Sequence, residues 1–160
     1  MRKAFFFFLA GAAVFVWWSA GAMPEVVASH FTGKGLANGF MPRGQYVGLM
    51  LTIVLLVPLL LFFMGRLAAR LPTRFVNLPH RQYWLAPERR AATLASLGSF
   101  GVWVAYATLA LLCVIHGLVL RANLQHPPLL EQAPMVGTMA LFFLALFVGM
   151  VVVLRKFFRV

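Results

Sequence analysis

Apolar residues gather into four runs, at about 4–23, 46–65, 97–120 and 134–154, and none of the four contains Lys, Arg, Asp or Glu. Each is close to the roughly 20 residues a helix needs to cross the hydrocarbon core. A bilayer offers no partner to free backbone N–H and C=O groups, so runs of this length predict helices and not open strands. The pattern therefore predicts an all-α membrane protein of four transmembrane helices, one integral membrane domain over residues 1–160.

Details within the runs refine this picture. Pro58 interrupts the second run and removes a helical hydrogen bond to the Val54 carbonyl, which predicts a bend. Gly101 with Ala105 and Ala145 with Gly149 are small residues four apart, a spacing that lets helices approach closely. No internal repeat is evident, so an inverted-repeat transporter finds no support. The first run, preceded by Arg2-Lys3 and followed by Ala20-Gly21-Ala22, also has the three regions of a cleavable signal peptide, although its length favours an uncleaved anchor.

The connections differ in charge. Arg2 and Lys3 precede the first run; Arg66, Arg70, Arg74, Arg81, Arg89 and Arg90 fill the connection between the second and third; Arg155, Lys156 and Arg159 follow the fourth. The other two connections carry only Lys34 and Arg43, and Arg121. Short loops rich in Lys and Arg stay in the cytoplasm, which predicts both termini and the middle connection inside, with the other two connections outside. The net charge of +11 thus has a topological origin and does not point to nucleic acid.

Composition narrows the chemistry further. There is no Asp, and Glu25, Glu88 and Glu131 are the only carboxylates, so paired-carboxylate catalysis and oxygen-rich cation sites have almost no raw material. Cys113 is the only cysteine, which excludes an intrachain disulfide and a thiolate cluster. These features predict a protein that is not an enzyme and carries no cofactor or metal.

Two connections look built for recognition. The outer one, 24–45, combines Val26-Val27-Ala28, His30 and Phe31 with the turn-rich Gly33, Gly35, Asn38, Gly39, Pro42 and Gly44, predicting an ordered cap. The cytoplasmic one has Pro72, Pro79 and Pro87, and Pro87-Glu88 suits a helix start ahead of the membrane. Tyr83 and Trp84 beside the arginines match an interfacial anchor on anionic lipid.

Two blocks also resemble a known family. Met23-Pro24-Glu25-Val26-Val27-Ala28-Ser29-His30-Phe31, followed by Gly35, Asn38-Gly39 and Arg43, resembles the outer-loop signature of a small bacterial membrane-protein family of unknown function. The N-terminal part of SdpI-type immunity proteins belongs to the same group. The segment Asn77-Leu78-Pro79-His80-Arg81-Gln82-Tyr83-Trp84-Leu85-Ala86-Pro87-Glu88-Arg89-Arg90 resembles a block of its stand-alone members. Ala28 stands where a proline is common, Phe40 where a tryptophan is common, and the second half of SdpI-type proteins is missing. The resemblance implies a bacterial inner-membrane protein with an immunity- or sensor-like binding role.

On these grounds His30, Phe31, Gly35, Asn38, Gly39 and Arg43 form the candidate outer recognition surface. Asn77, Arg81, Tyr83, Trp84, Glu88, Arg89 and Arg90 form a candidate cytoplasmic surface for lipid headgroups or a partner. His30 could bind a metal, sense pH or recognise a partner, but the loop geometry favours a structural hydrogen-bonding role. His116 is the intramembrane polar residue, read as a helix-end histidine reaching the headgroups. His30, His116, His126, Glu25 and Glu131 all fall on the outer side, yet without the tight spacing of a zinc site. The expected partners are anionic membrane lipids and another membrane protein or a peptide ligand. The alternative function is a structural accessory subunit of a larger membrane complex, with a small transporter or metal enzyme third.

Overall fold

A computed structural model describes residues 2–68, 70 and 72–158; Arg159 of the carboxyl-terminal basic cluster lies outside them. In chain order the elements are α1 (Arg2–Ser19), a 3-10 turn (Ala20–Ala22), β1 (Val26–Phe31), β2 (Ala37–Pro42), α2 (Arg43–Ala68), a second 3-10 turn (Thr73–Phe75), α3 (Arg81–Trp84), α4 (Pro87–Asn123) and α5 (Gln132–Phe157). Four helices are long and apolar enough to cross a membrane: Lys3–Ala22, Arg43–Ala68, Pro87–Asn123 and Gln132–Phe157. The protein is thus a multi-pass membrane protein by helix length and composition. As the Pro87-Glu88 pair predicts, α4 starts well before its apolar run, with Glu88 in its first turn. Pro58 lies inside α2.

The all-α prediction holds for the four long apolar helices, but the connection between α1 and α2, expected as an ordered loop, is an antiparallel β-hairpin. Val26 and Val27 favour extended backbone, and Gly35, at φ +82°, takes the left-handed conformation that lets the chain reverse. The register pairs Val26 with Pro42, Val27 with Met41 and Ala28 with Phe40, then shifts so that His30 meets Gly39 and Phe31 meets Ala37. The Arg43 N–H donates to the Glu25 carbonyl at 2.8 Å, closing the open end of the hairpin where α2 begins.

The chain forms two compact units. The first comprises Met1–Val57 and Thr108–Phe142. It holds the hairpin over a cluster of Leu118, Ala122 and Leu130, against which Phe31 and Met135 pack. Val27 and Ala28 of β1 are buried, as is Met23 ahead of it, whereas Val26 and Phe40 are exposed.

The second unit comprises Pro58–Ala107 and Phe143–Val160. Its core is Val76, Leu78, Leu94 and Phe157, with Trp84, Leu85, Leu97, Val153 and Leu154 around it. Two of the small residues noted in the sequence, Gly101 and Gly149, lie at close approaches. A Cβ on Gly101 would fall 2.5 Å from the Gly65 Cα, and one on Gly149 would fall 2.7 Å from the Trp103 ring. These glycines permit helix contacts that any side chain would prise apart.

Candidate functional site

The hairpin is fastened to the rest of its unit by two devices. Asn123, at the end of α4 and 2% exposed, turns its amide onto Ala28, which is fully buried. Asn123 Oδ1 accepts the Ala28 N–H at 2.7 Å, and Nδ2 donates to the Ala28 carbonyl at 3.0 Å and to the Val119 carbonyl at 2.9 Å. One side chain thereby does for the β1 edge what a third strand would do, meeting a donor and an acceptor at once.

The second device holds the tip. The Leu130 N–H donates to the Gly35 carbonyl at 2.9 Å, and Leu36 forms a β-bridge with Leu129. With its amide suitably turned, Gln132 donates to the Gly33 carbonyl at 3.1 Å and accepts the Gly35 N–H at 3.0 Å. A Cβ on Gly35 would collide with the Leu130 carbonyl, so this glycine is needed both for its φ and for the closeness of approach. The Arg121–Glu131 ion pair nearby, at 3.1 Å, is exposed at both ends. Pairs of that kind contribute about 0.2–1 kcal/mol.

Edge chemistry follows from the register. Because Ala28 gives its N–H and C=O to Asn123, its pairing with Phe40 is of the kind without mutual hydrogen bonds. Phe40 accordingly presents its own N–H and C=O on the outer edge of β2, and the register shift that follows leaves Asn38 without a partner on β1. Pro42, also on that edge, carries no N–H. Asn38, Phe40 and Pro42 are all exposed.

The predicted outer residues fall on this scaffold in different roles. His30 is exposed, its Nδ1 3.0 Å from the Ser29 hydroxyl. A Cβ on Gly39 would lie 2.9 Å from that of His30, so Gly39 makes room for the imidazole across the strands. Phe31 packs inward on the Leu118 cluster. Arg43 reaches back to donate from Nη1 to the Met23 carbonyl at 2.8 Å, bracing the α1 end against the α2 start.

His116 is placed differently from the headgroup position expected of it: it is fully buried. Nε2 lies 2.8 Å from Ser19 Oγ and Nδ1 lies 3.0 Å from Tyr46 Oη, while the ring stacks on Tyr46 and meets Phe15 edge-on. Ser19 Oγ is also 2.6 Å from the Phe15 carbonyl, an oxygen that can only accept, so the hydroxyl proton sits there. We therefore assign His116 Nε2–H as donor to Ser19 and Nδ1 as acceptor of the Tyr46 O–H. The pair has the spacing of a nucleophile and its base, but the proton that a base would remove points away from it. The neutral imidazole instead joins α1, α2 and α4 with both nitrogens satisfied. His30, His126, Glu25 and Glu131 do not join it: among the described residues, no three His, Cys, Asp or Glu side chains converge on a common point.

In the second unit, Trp84 is half-buried and its indole N–H donates to the Phe157 carbonyl at 3.1 Å, with the rings edge-to-face. Thr93 Oγ1 donates to the Trp84 carbonyl at 2.9 Å. Trp84 is thus turned toward the end of α5, while Tyr83 is exposed and lies beneath the Arg89 guanidinium at 4.0 Å. Arg81 donates to the Thr73 carbonyl at 2.9 Å. Asn77, Glu88 and Arg90 are exposed.

Sequence reasoning missed Asn123, Ser19 and Tyr46. Asn123 follows the third apolar run in a polar stretch, where asparagine reads as a turn residue. Ser19 and Tyr46 flank the connection between α1 and α2, and the available signal was the need of a histidine within an apolar helix for partners. Comparison with protein-family models, curated proteins and solved structures finds no match to this chain.

Proposed function

We propose that this chain is a non-enzymatic bacterial inner-membrane protein that recognises an extended peptide or the outer segment of another membrane protein through its hairpin. The observation that carries the reading is the outer edge of β2. Asn123 anchors the far edge of the hairpin and Leu129–Leu130 anchor its tip, so the strand is held in shape before a partner arrives. A pre-ordered edge spares a partner the ordering cost and offers main-chain hydrogen bonds, the basis of recognition by strand addition. The exposed Asn38 and Phe40 side chains would then select the sequence.

The orientation belongs to the same reading: the charge bias favours cytoplasmic termini, a cytoplasmic 66–96 connection and an outward hairpin. The resemblance of the Pro24-to-Arg43 block to SdpI-type proteins favours an immunity- or sensor-like use. The exposed Arg81, Arg89 and Arg90 suit anionic headgroups on the cytoplasmic side. The alternative role, a structural accessory subunit, draws support from α5, whose apolar span exposes Val136, Leu141, Phe143, Leu144 and Phe147.

A photo-cross-linking residue in place of Asn38, in the native membrane, tests the reading. A discrete adduct with a peptide or an outer segment of a membrane protein is expected. Adducts with lipid alone would contradict it, and a partner present in constant stoichiometry and captured equally from α5 would favour the accessory role.

A further inference from the structure

Beside the hairpin, the first unit carries a groove of about 460 Å³, lined by Trp17, Ala20 and Gly21 on one side and by Arg43, Gly44, Val47, Gly48 and Leu51 on the other. Its breadth has a simple cause. A Cβ on Gly21, Gly44 or Gly48 would meet nothing within 4 Å, so the groove is the space that three absent side chains leave open. No packing constraint demands glycine at these places. At Gly35, by contrast, a neighbouring backbone does.

The walls are graded in polarity. Arg43 stands at one end, and Val47 and Leu51 follow at one-turn intervals, so the α2 wall runs from a cation to pure hydrocarbon over about 12 Å at 1.5 Å per residue. Trp17, 70% exposed, flanks it with a ring of the type that settles at the interface between headgroup and hydrocarbon. Arg43 is the only charged residue in the lining. Its bond to the Met23 carbonyl holds the guanidinium in place while engaging one of its five N–H donors.

The groove opens on the surface of two helices that are long and apolar enough to span the bilayer, where lipid is the solvent. We propose that it is a binding site for one anionic phospholipid, with the phosphate on Arg43 and an acyl chain laid along Gly44, Gly48 and Leu51. Charge complementarity selects the headgroup: every glycerophospholipid offers Arg43 a phosphate for a charge-assisted hydrogen bond, but only an anionic lipid leaves that charge uncompensated, whereas the tethered ammonium of a zwitterionic headgroup offsets it and would stand near the same cation. The missing side chains select the chain, since a flexible methylene tail can fill a shallow channel that a folded partner could not enter. A lipid there would lie against the ends of α1 and α2 that lead into and out of the hairpin. The site rests on the groove and not on the hairpin's partner, so either proposal can fail alone.

Native mass spectrometry of the full chain, delipidated in mild detergent and titrated with phosphatidylglycerol or phosphatidylcholine, tests this. Wild type should retain phosphatidylglycerol about fivefold more strongly, the factor expected of one cation facing a net anionic and not a zwitterionic headgroup. Arg43→Gln should abolish that preference, and Gly48→Leu, which fills open space and leaves Arg43 in place, should weaken both lipids. Glycerol phosphate should not displace the bound lipid, since the chain contributes to holding it. Thermal unfolding of each variant serves as the folding control. Equal retention of the two lipids by wild type, or undiminished retention by a folded Gly48→Leu, would overturn the proposal. A dimer mass lost in Gly48→Leu would overturn it in favour of a second copy of the chain, and displacement by glycerol phosphate in favour of a simple anion site.

Discussion

Asn123→Ala should release the hairpin from its unit. The substitution removes the acceptor of the Ala28 N–H and the donor to the Ala28 carbonyl at a residue with no exposed surface. A buried backbone group left without a partner costs about 1–3 kcal/mol, so two of them amount to about 2–6 kcal/mol before water enters. Taking about 3 kcal/mol after such relaxation, and 1.4 kcal/mol per factor of ten, the opening of β1 should become on the order of 100-fold more frequent. Amide hydrogen exchange read by mass spectrometry in detergent, on peptides covering 26–31 and 37–42, measures this opening. Exchange should accelerate there while the interior of α4 is unchanged. Asn123→Asp should fare no better than alanine, because a carboxylate retains the acceptor but faces the Ala28 and Val119 carbonyls without a proton to offer. If hairpin exchange in Asn123→Ala stays within about twofold of wild type, the clasp carries no weight and the reasoning from unsatisfied groups fails here.

Other consequences can be checked in parallel. Gly35→Ala should open the tip, since it combines a strained φ with a backbone collision at Leu130; tryptic cleavage after the exposed Lys34 should quicken. Tyr46→Phe leaves His116 Nδ1 unsatisfied and should lower the thermal midpoint of the detergent-solubilised protein, whereas a His116→Leu, Tyr46→Phe double variant should lose less than the two single losses combined. With Cys113 replaced, a cysteine at position 34 should react with an impermeant reagent from outside and one at position 81 only after permeabilisation; the reverse would refute the orientation.

The spans were legible because their signal is redundant: each apolar run is long, uncharged and bounded by polar connections, and α4 and α5 extend beyond their runs into flanks that carry Glu88, Arg89 and Arg90, and Arg155 and Lys156. The hairpin was legible only as an ordered turn-rich loop. Val26-Val27 suggests a strand, but the pairing with Phe40 and Met41 depends on a register set by Gly35 and by contacts with Leu129 and Leu130, some ninety residues away in sequence. Asn123 was illegible for the same reason, since nothing near it in sequence announces Ala28. The charge pattern placed Trp84 among arginines at a lipid surface. Its turn toward Phe157 depends on where α5 ends, which a local reading cannot supply.

The claim that the β2 edge is the recognition element turns on one backbone group. The Phe40 N–H faces away from β1, so Phe40→Pro should remove a donor from the outer edge while leaving the hairpin's own hydrogen bonds in place. The decisive measurement is partner capture by the photo-cross-linker at position 38 in chains carrying Phe40→Pro or Phe40→Ala, with hydrogen exchange at Val27 and Met41 confirming that the hairpin persists. Capture should fall at least tenfold in the proline variant and only partly in the alanine variant, because the partner needs the backbone donor more than the ring. Undiminished capture by an intact Phe40→Pro hairpin would show that the partner does not dock on this edge.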